Sequence, residues 1–184
     1  TLVLMGDLSH TQQELPAARS LYEQALALRR QMGDKWGVSR CLTNLGNVAS
    51  SLGEDVSARA FFRESLEISR RLGDRRSECA PLLGLGRLAL RGGDTETARR
   101  HFSDCLAGGR DLGIKPILAS ALEGLAAVFA AREHPRESVR LYGAADALRL
   151  ASGAKVPPTQ RSERDTLIRA LRDHLGEADF EAAW

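Results

Sequence analysis

The sequence predicts an all-α protein: a right-handed α-solenoid of antiparallel helix pairs on a 40-residue repeat, closed by C-terminal capping helices. Three observations carry this expectation. Apolar residues recur at three- and four-residue spacing, which is the period of one helix face. Glycines recur between those stretches, where a helix stops. The chain also matches itself, without a gap, when slid by 40 residues.

In that alignment Met5-Gly6 meets Leu45-Gly46, Leu85-Gly86 and Leu125-Ala126. Further on, Ala18, Ala58, Ala98 and Ser138 coincide, and four residues later Tyr22, Phe62, Phe102 and Tyr142 do. Ala25, Ser65, Cys105 and Ala145 follow, and Gly33, Gly73, Gly113 and Gly153 close the units. The expected organisation is four helical hairpins over 1–153, with units at about 1–33, 34–73, 74–113 and 114–153. A Pro-Pro break and capping helices are expected over 154–184.

The second unit shows how each element is read. Trp36, Val38, Leu42, Leu45, Val48, Ala49 and Leu52 form one apolar stripe, and Gly53 ends that helix because it accepts a left-handed backbone. Glu54 and Asp55 are expected to supply acceptors and negative charge at the next helix start. That helix carries Val56, Ala58, Phe61, Phe62, Leu66, Ile68 and Leu72. Gly46 and Ala58 are small where the paired helices cross, and the aromatic at 62 fills the wedge toward the next pair. A single hairpin cannot bury its apolar faces, so neighbours must stack. Pro81, inside the first helix of the third unit, predicts a kink or a late start. In the tail, Val156-Pro157-Pro158 ends the array and Thr159 or Ser162 caps a new helix. Its stripe is Leu167, Ile168, Leu171 and Leu175, with Gly176 as its stop, and it covers the fourth unit. Ala178 to Trp184 reads as a further short helix, with Phe180 and Trp184 packing back on the array. The first helix is truncated at Thr1, so its open side needs upstream repeats or a second copy of the chain to cover it.

Leu-Gly, an alanine twelve residues on, an aromatic four later and a small residue three after that make a pattern that resembles the tetratricopeptide repeat. Gly46, Ala58, Phe62 and Ser65 match it, as do Gly86, Ala98, Phe102, Cys105 and Gly6, Ala18, Tyr22, Ala25. Ala126, Ser138, Tyr142 and Ala145 match more loosely, and the unit is longer than the usual 34 residues. The tail, with "LYGAADALR", the Pro-Pro break and "LGEADFEAAW", resembles the C-terminal repeat region of large bacterial signal-transduction ATPases and LuxR-type transcriptional regulators. That resemblance implies a parent that binds ATP and controls transcription, with this segment as its sensory or restraining arm.

Composition narrows the function. The 184 residues are 43% hydrophobic, 27% charged and 5% aromatic, with a formal net charge of +2. Adjacent arginine pairs are interrupted by acids, which argues against a nucleic-acid stripe. No apolar run approaches the roughly 20 residues of a membrane span. Cys41, Cys79 and Cys105 are widely spaced and fit buried thiols in the cytoplasm rather than a disulfide frame or zinc site. The chain lacks an initiating Met and starts in an apolar run, so it reads as part of a longer protein.

Gly84, Gly86 and Ala89 fit the dinucleotide spacing G-x-G-x-x-A, yet no strand precedes them, and the repeat places them inside a helix. There is no P-loop, H-E-x-x-H or G-x-S-x-G. His10, His101, His134 and His174 are scattered, without a second ligand at metal spacing. The expectation is a protein that is not an enzyme, with no cofactor and no metal.

A surface remains. In the tetratricopeptide arrays that the chain resembles, the first helix of each unit lines a concave side. Register then places Asp7, His10, Thr11, Arg40, Thr43, Asn47, Ser50 and Ser51 there, followed by Leu83, Arg87, Leu90 and Arg91, then Ser120, Glu123, Ala127 and Ala130. Arg87 and Arg91, with Arg40 and Asn47, could grip a carboxylate; the alternative is solvated arginines in an arginine-rich chain. Leu83 stands where the chaperone-binding carboxylate clamp needs a basic residue. The expected role is a protein- or peptide-binding scaffold whose partner includes the ATPase domain of its own parent. The alternative is a self-association module acting through the uncapped N-terminal end.

Overall fold

The computed structural model describes residues 2–156 and 158–184, with side chains at all of these except 158 and 159. Among the described residues ten helices follow in order: α1 (Leu2–Thr11), α2 (Leu15–Gln31), α3 (Lys35–Ser51), α4 (Asp55–Leu72), α5 (Arg75–Arg91), α6 (Thr95–Asp111), α7 (Lys115–Ala131), α8 (Pro135–Ser152), α9 (Pro158–Leu175) and α10 (Glu177–Ala183). There is no strand among the described residues. The helices form two compact units, Thr1–Leu88 and Ala89–Trp184.

The repeat is written most plainly in the backbone. Residues 13, 33, 53, 73, 93, 113, 133 and 153 all have φ between 61° and 78°. Every helix-to-helix turn of the array therefore uses one left-handed residue, 20 positions after the last. Six of the eight are glycine, which adopts that conformation without a Cβ penalty. Gln13 and Glu133 carry it as strained exceptions.

In the first unit, α1 packs on α2, α2 on α3 and α3 on α4. Ala18, Tyr22, Ala25, Leu26, Val38, Cys41, Leu42, Leu45 and Val48 make a shared core. The ring of Phe62 enters a slot between two helices: a Cβ on Gly46 would stand 2.6 Å from it, and one on Gly84 closer still. Small residues thus make room for the aromatic of a neighbouring helix, more than for the helix axes themselves. A hydroxyl cluster fills the rest of the α3–α4 contact. Ser39 Oγ lies 2.9 Å from Ser65 Oγ and 2.8 Å from Ser69 Oγ, and Thr43 Oγ1 lies 2.7 Å from Ser65 Oγ. These hydroxyls satisfy one another and the Ser39 carbonyl, so their burial carries little penalty.

In the second unit, α6 packs on α7 and α7 on α8, while α9 and α10 close over α8. Phe102 lies against Gly124 as Phe62 does against Gly84. Ser138 replaces the buried alanine of its column, and its hydroxyl donates to the Ala126 carbonyl at 2.8 Å. Arg164, 40 positions after Gly124, sets its guanidinium 5.7 Å from the Tyr142 ring centre. Helix α9 is thus laid down in the repeat's own register, with Leu167, Ile168, Leu171 and Leu175 inward and the polar residues Arg161, Asp165, Arg169 and Asp173 outward. Phe180 of α10 is buried beneath it and stacks on Trp184 at 5.3 Å.

Three local expectations are corrected. Pro81 does not delay α5, which starts at Arg75 as α3 starts at Lys35; its ring is fully buried, and packing offsets the lost N–H. Glu54 gives no side-chain cap; its carboxylate pairs instead with Arg19. Asp34, Asp74 and Asp94 do cap, accepting from the Gly37, Ser77 and Thr97 N–H groups at 2.8, 3.1 and 2.9 Å. Ser162 sits inside α9 rather than at its start, while Pro157 and the Thr159 side chain lie outside the described residues, as does Thr1.

Candidate functional site

Two columns of the repeat keep the same exposure in every hairpin. Positions 7, 47, 87 and 127 are half-buried, and so are 10, 50, 90 and 130, on the first helix of each pair. Their neighbours at 6, 46, 86 and 126 are buried. In the first unit the columns read Asp7, Asn47, Arg87 and His10, Ser50; in the second they read Leu90, Ala127 and Ala130. These positions are polar in the first unit and apolar in the second.

Asp7 is the best-anchored of these residues. The Tyr22 hydroxyl donates to its Oδ1 at 2.7 Å, and Asn44 Nδ2 donates to the same oxygen at 3.1 Å. Arg40 Nη2 approaches Oδ2 at 3.4 Å. Burial, followed by the bond to Asp7, pushes the Tyr22 phenol above its ordinary range. Register found Asp7 and Arg40 but missed Tyr22 and Asn44. The available signal was a tyrosine in a buried aromatic column, whose hydroxyl requires a partner.

Arg40 is also held on its other side. Its guanidinium lies 6.0 Å from the Trp36 ring centre, and Trp36 Nε1 donates to Asp74 Oδ2 at 3.1 Å. His10 Nε2 is buried with no hydrogen-bond partner; burial lowers the imidazole pKa, and Asp7 opposes that shift. Asn47, Ser50 and Arg87 are half-buried, and Thr11 and Ser51 are exposed.

Two predicted wall residues do not stand on the wall. Thr43 is buried in the hydroxyl cluster between α3 and α4, because its position faces the second helix of its own hairpin. Leu83, in the same column, is half-buried. Glu123 is the other correction. Arg149 grips it with Nε at 3.0 Å and Nη2 at 2.6 Å, and Arg164 adds a bond at 3.2 Å. Arg164 also bonds Asp146 at 2.5 Å, so two acids and two arginines balance, with Glu123, Arg149 and Arg164 largely buried and Asp146 half-exposed. Ser120 is drawn into it by Arg149 at 3.4 Å. The chain's own α8 and α9 therefore occupy this part of the surface. Of the remaining second-unit residues, Leu90 is half-buried and Arg91 exposed.

The three cysteines are buried and form no disulfide, and burial pushes the Cys41 thiol up, away from the reactive thiolate. Among the described residues no group of three or more His, Cys, Asp or Glu could hold a metal ion, and no helix is long and apolar enough to cross a membrane.

Residues 1–71 match the family model described as Tetratricopeptide repeat. No curated protein matches the chain. Among solved structures it is similar to BtubC (BKLC) from P. vanneervenii, at 21% identity and a TM-score of 0.69, over 85% of this chain. The chain spans 65% of that protein's length. The likeness is one of fold: the chain is an all-helical repeat whose first 71 residues match tetratricopeptide repeats.

Proposed function

We propose that this chain is a non-catalytic scaffold that binds a protein or peptide along the first helices of its hairpins. The observation that carries this reading is the polar column Asp7, Asn47 and Arg87, half-exposed at equivalent positions of three successive first helices. Side chains at such a column are placed by the repeat and remain half-exposed, which is what a recognition surface needs. The tail's likeness to bacterial ATPase-type transcriptional regulators supports a role as the regulatory arm of such a protein in the cytoplasm. Its partner is then the ATPase domain of the same parent. The test is calorimetric titration of this segment with that domain, repeated with Arg87→Glu and Arg91→Glu taken singly. Weakening by about tenfold or more, the scale of one lost charged contact, supports the reading. Unchanged affinity in both variants removes the arginines, and absence of binding removes the ATPase partner.

The exposed apolar face of α1, with Leu4, Met5 and Leu8, favours a second reading as a self-association module. Light scattering decides it: a strict monomer at high micromolar concentration excludes it.

A further inference from the structure

Within each unit one hairpin meets the next by a ring set against a glycine: Phe62 on Gly84, and Phe102 on Gly124. The fourth hairpin meets α9 differently. Position 164 continues the column of Gly84 and Gly124, and there Arg164 lies over the Tyr142 ring at 5.7 Å. Its Nε donates to Glu123 Oε1 at 3.2 Å and its Nη2 to Asp146 Oδ1 at 2.5 Å. A steric seat is thus replaced by an electrostatic one. The apolar part of the contact is thinner too. Helix α7 buries Ala119, Ala121, Leu125, Ala126 and Val128. Among the described side chains of α9 only Leu171 is buried, with Leu167, Ile168 and Leu175 half-buried. Arg172 of α9 covers the Phe180 ring at 4.3 Å and bonds Glu177 at 2.5 Å, so α9 and α10 hold to each other as one piece.

We propose that α9 is the releasable occupant of an arginine-recognition site on the fourth hairpin. An amphipathic helix of a partner protein displaces it, bearing an arginine with apolar residues three, four and seven positions further on. Helix α9 is itself the template for that chemistry, since Arg164 is followed by Leu167, Ile168 and Leu171. The charges dictate a guanidinium. Arg149 comes from α8, in the same hairpin as Glu123 and Asp146, and stays when α9 leaves. Two carboxylates then face one guanidinium beside an uncovered tyrosine ring, and one cation is missing. A lysine ammonium is a single point of charge. A guanidinium donates from separate edges to Glu123 and Asp146 while its plane lies over Tyr142. Because the cap is tethered, a partner must offset an effective concentration on the order of millimolar, which keeps the resting site closed. None of these residues belongs to the polar column Asp7, Asn47 and Arg87, so the two surfaces stand or fall separately.

The probe is a fluorescent synthetic peptide with the sequence of residues 158–175, titrated into the chain and read by anisotropy. Arg164→Met in the chain weakens the chain's own cap. The peptide is expected to bind that variant about tenfold or more tighter than the natural chain, because the tethered competitor has lost a charged contact. The same peptide with Arg164→Lys is expected to bind about tenfold more weakly. Asp146→Asn, added to the Arg164→Met chain, is expected to erase most of that preference while Glu123 keeps Arg149. In the isotopically labelled natural chain, saturating peptide is expected to quicken amide exchange in α9 by about tenfold or more and to leave α7 unchanged. A peptide that fails to bind the Arg164→Met chain, equal affinity of the arginine and lysine peptides, or exchange that quickens in α7 together with α9 overturns the proposal. A dimer of the natural chain in which the copies trade their α9 helices also overturns it and makes a second copy the occupant.

Discussion

The ring of Phe62 stands where a Cβ on Gly84 would have to go. Helix α4 and the first helix of the next pair are thus fitted to each other at one point, an aromatic ring against a glycine. Phe62→Ala should cost about 3–5 kcal/mol through the cavity it leaves, and Gly84→Ala about 1–3 kcal/mol through overpacking. Because the two positions share one volume, the double variant should cost less than the sum. Urea denaturation of the four-member cycle measures it, and strict additivity would show that the ring and the glycine are not coupled.

The turns allow a gain in stability. Gln13 and Glu133 hold φ of 63° and 61°, where the sibling turns have Gly53 and Gly93. Replacing either by glycine should stabilise by about 0.5–1 kcal/mol, the relieved strain outweighing the added freedom of the unfolded chain. Gly53→Ala should do the reverse by about 1 kcal/mol, since its added Cβ meets open space but an unfavourable φ. Thermal melts of the three variants test the sign in each case.

Glu123 and Asp146 tie the cap to the fourth hairpin through Arg164, while Arg149 joins Glu123 to α8 within that hairpin. Arg149→Ala removes one partner of a buried pair and should cost about 3–5 kcal/mol. Arg164→Met keeps the apolar stem over Tyr142 and removes the charge, so its effect should be local. Exchange in α9 and α10 should quicken while α3 and α4 keep their protection, as nearest-neighbour coupling requires. Equal loss of protection in α3 would show that the cap stabilises the chain globally.

Acid should loosen the helix starts. The Gly37 N–H, then Arg29, holds the Asp34 carboxylate below its ordinary range; the Ser77 hydroxyl and backbone do so for Asp74, and the Thr97 backbone and hydroxyl for Asp94. A carboxylate depressed in the folded state contributes stability that is complete above its unfolded value, roughly pH 4, and is lost as pH falls through the folded one. Thermal midpoints should therefore fall between about pH 5 and pH 2, and a triple Asp→Asn variant at 34, 74 and 94 should show a shallower fall. An identical pH profile in that variant would remove the caps from the acid response.

The sequence determined the architecture because its signals are local and repeated. Apolar period, turn glycines and the aromatic column each recur every 40 residues, so an error at one unit is corrected by the other three. It also resolved Gly84 and Gly86 as helix interior rather than a phosphate turn, since no strand leads into them. What it left to the tertiary structure is where one polar side chain ends up relative to others far along the chain. Thr43 and Glu123 share a column, yet one vanishes into a hydroxyl cluster and the other into an ion network. Their fates depend on Ser65 and Ser69 in one hairpin and on Arg149 and Arg164 in the other. Periodicity fixes the face on which a residue lies; burial and hydrogen-bond satisfaction, which are settled between helices, decide whether that residue is still available to a partner.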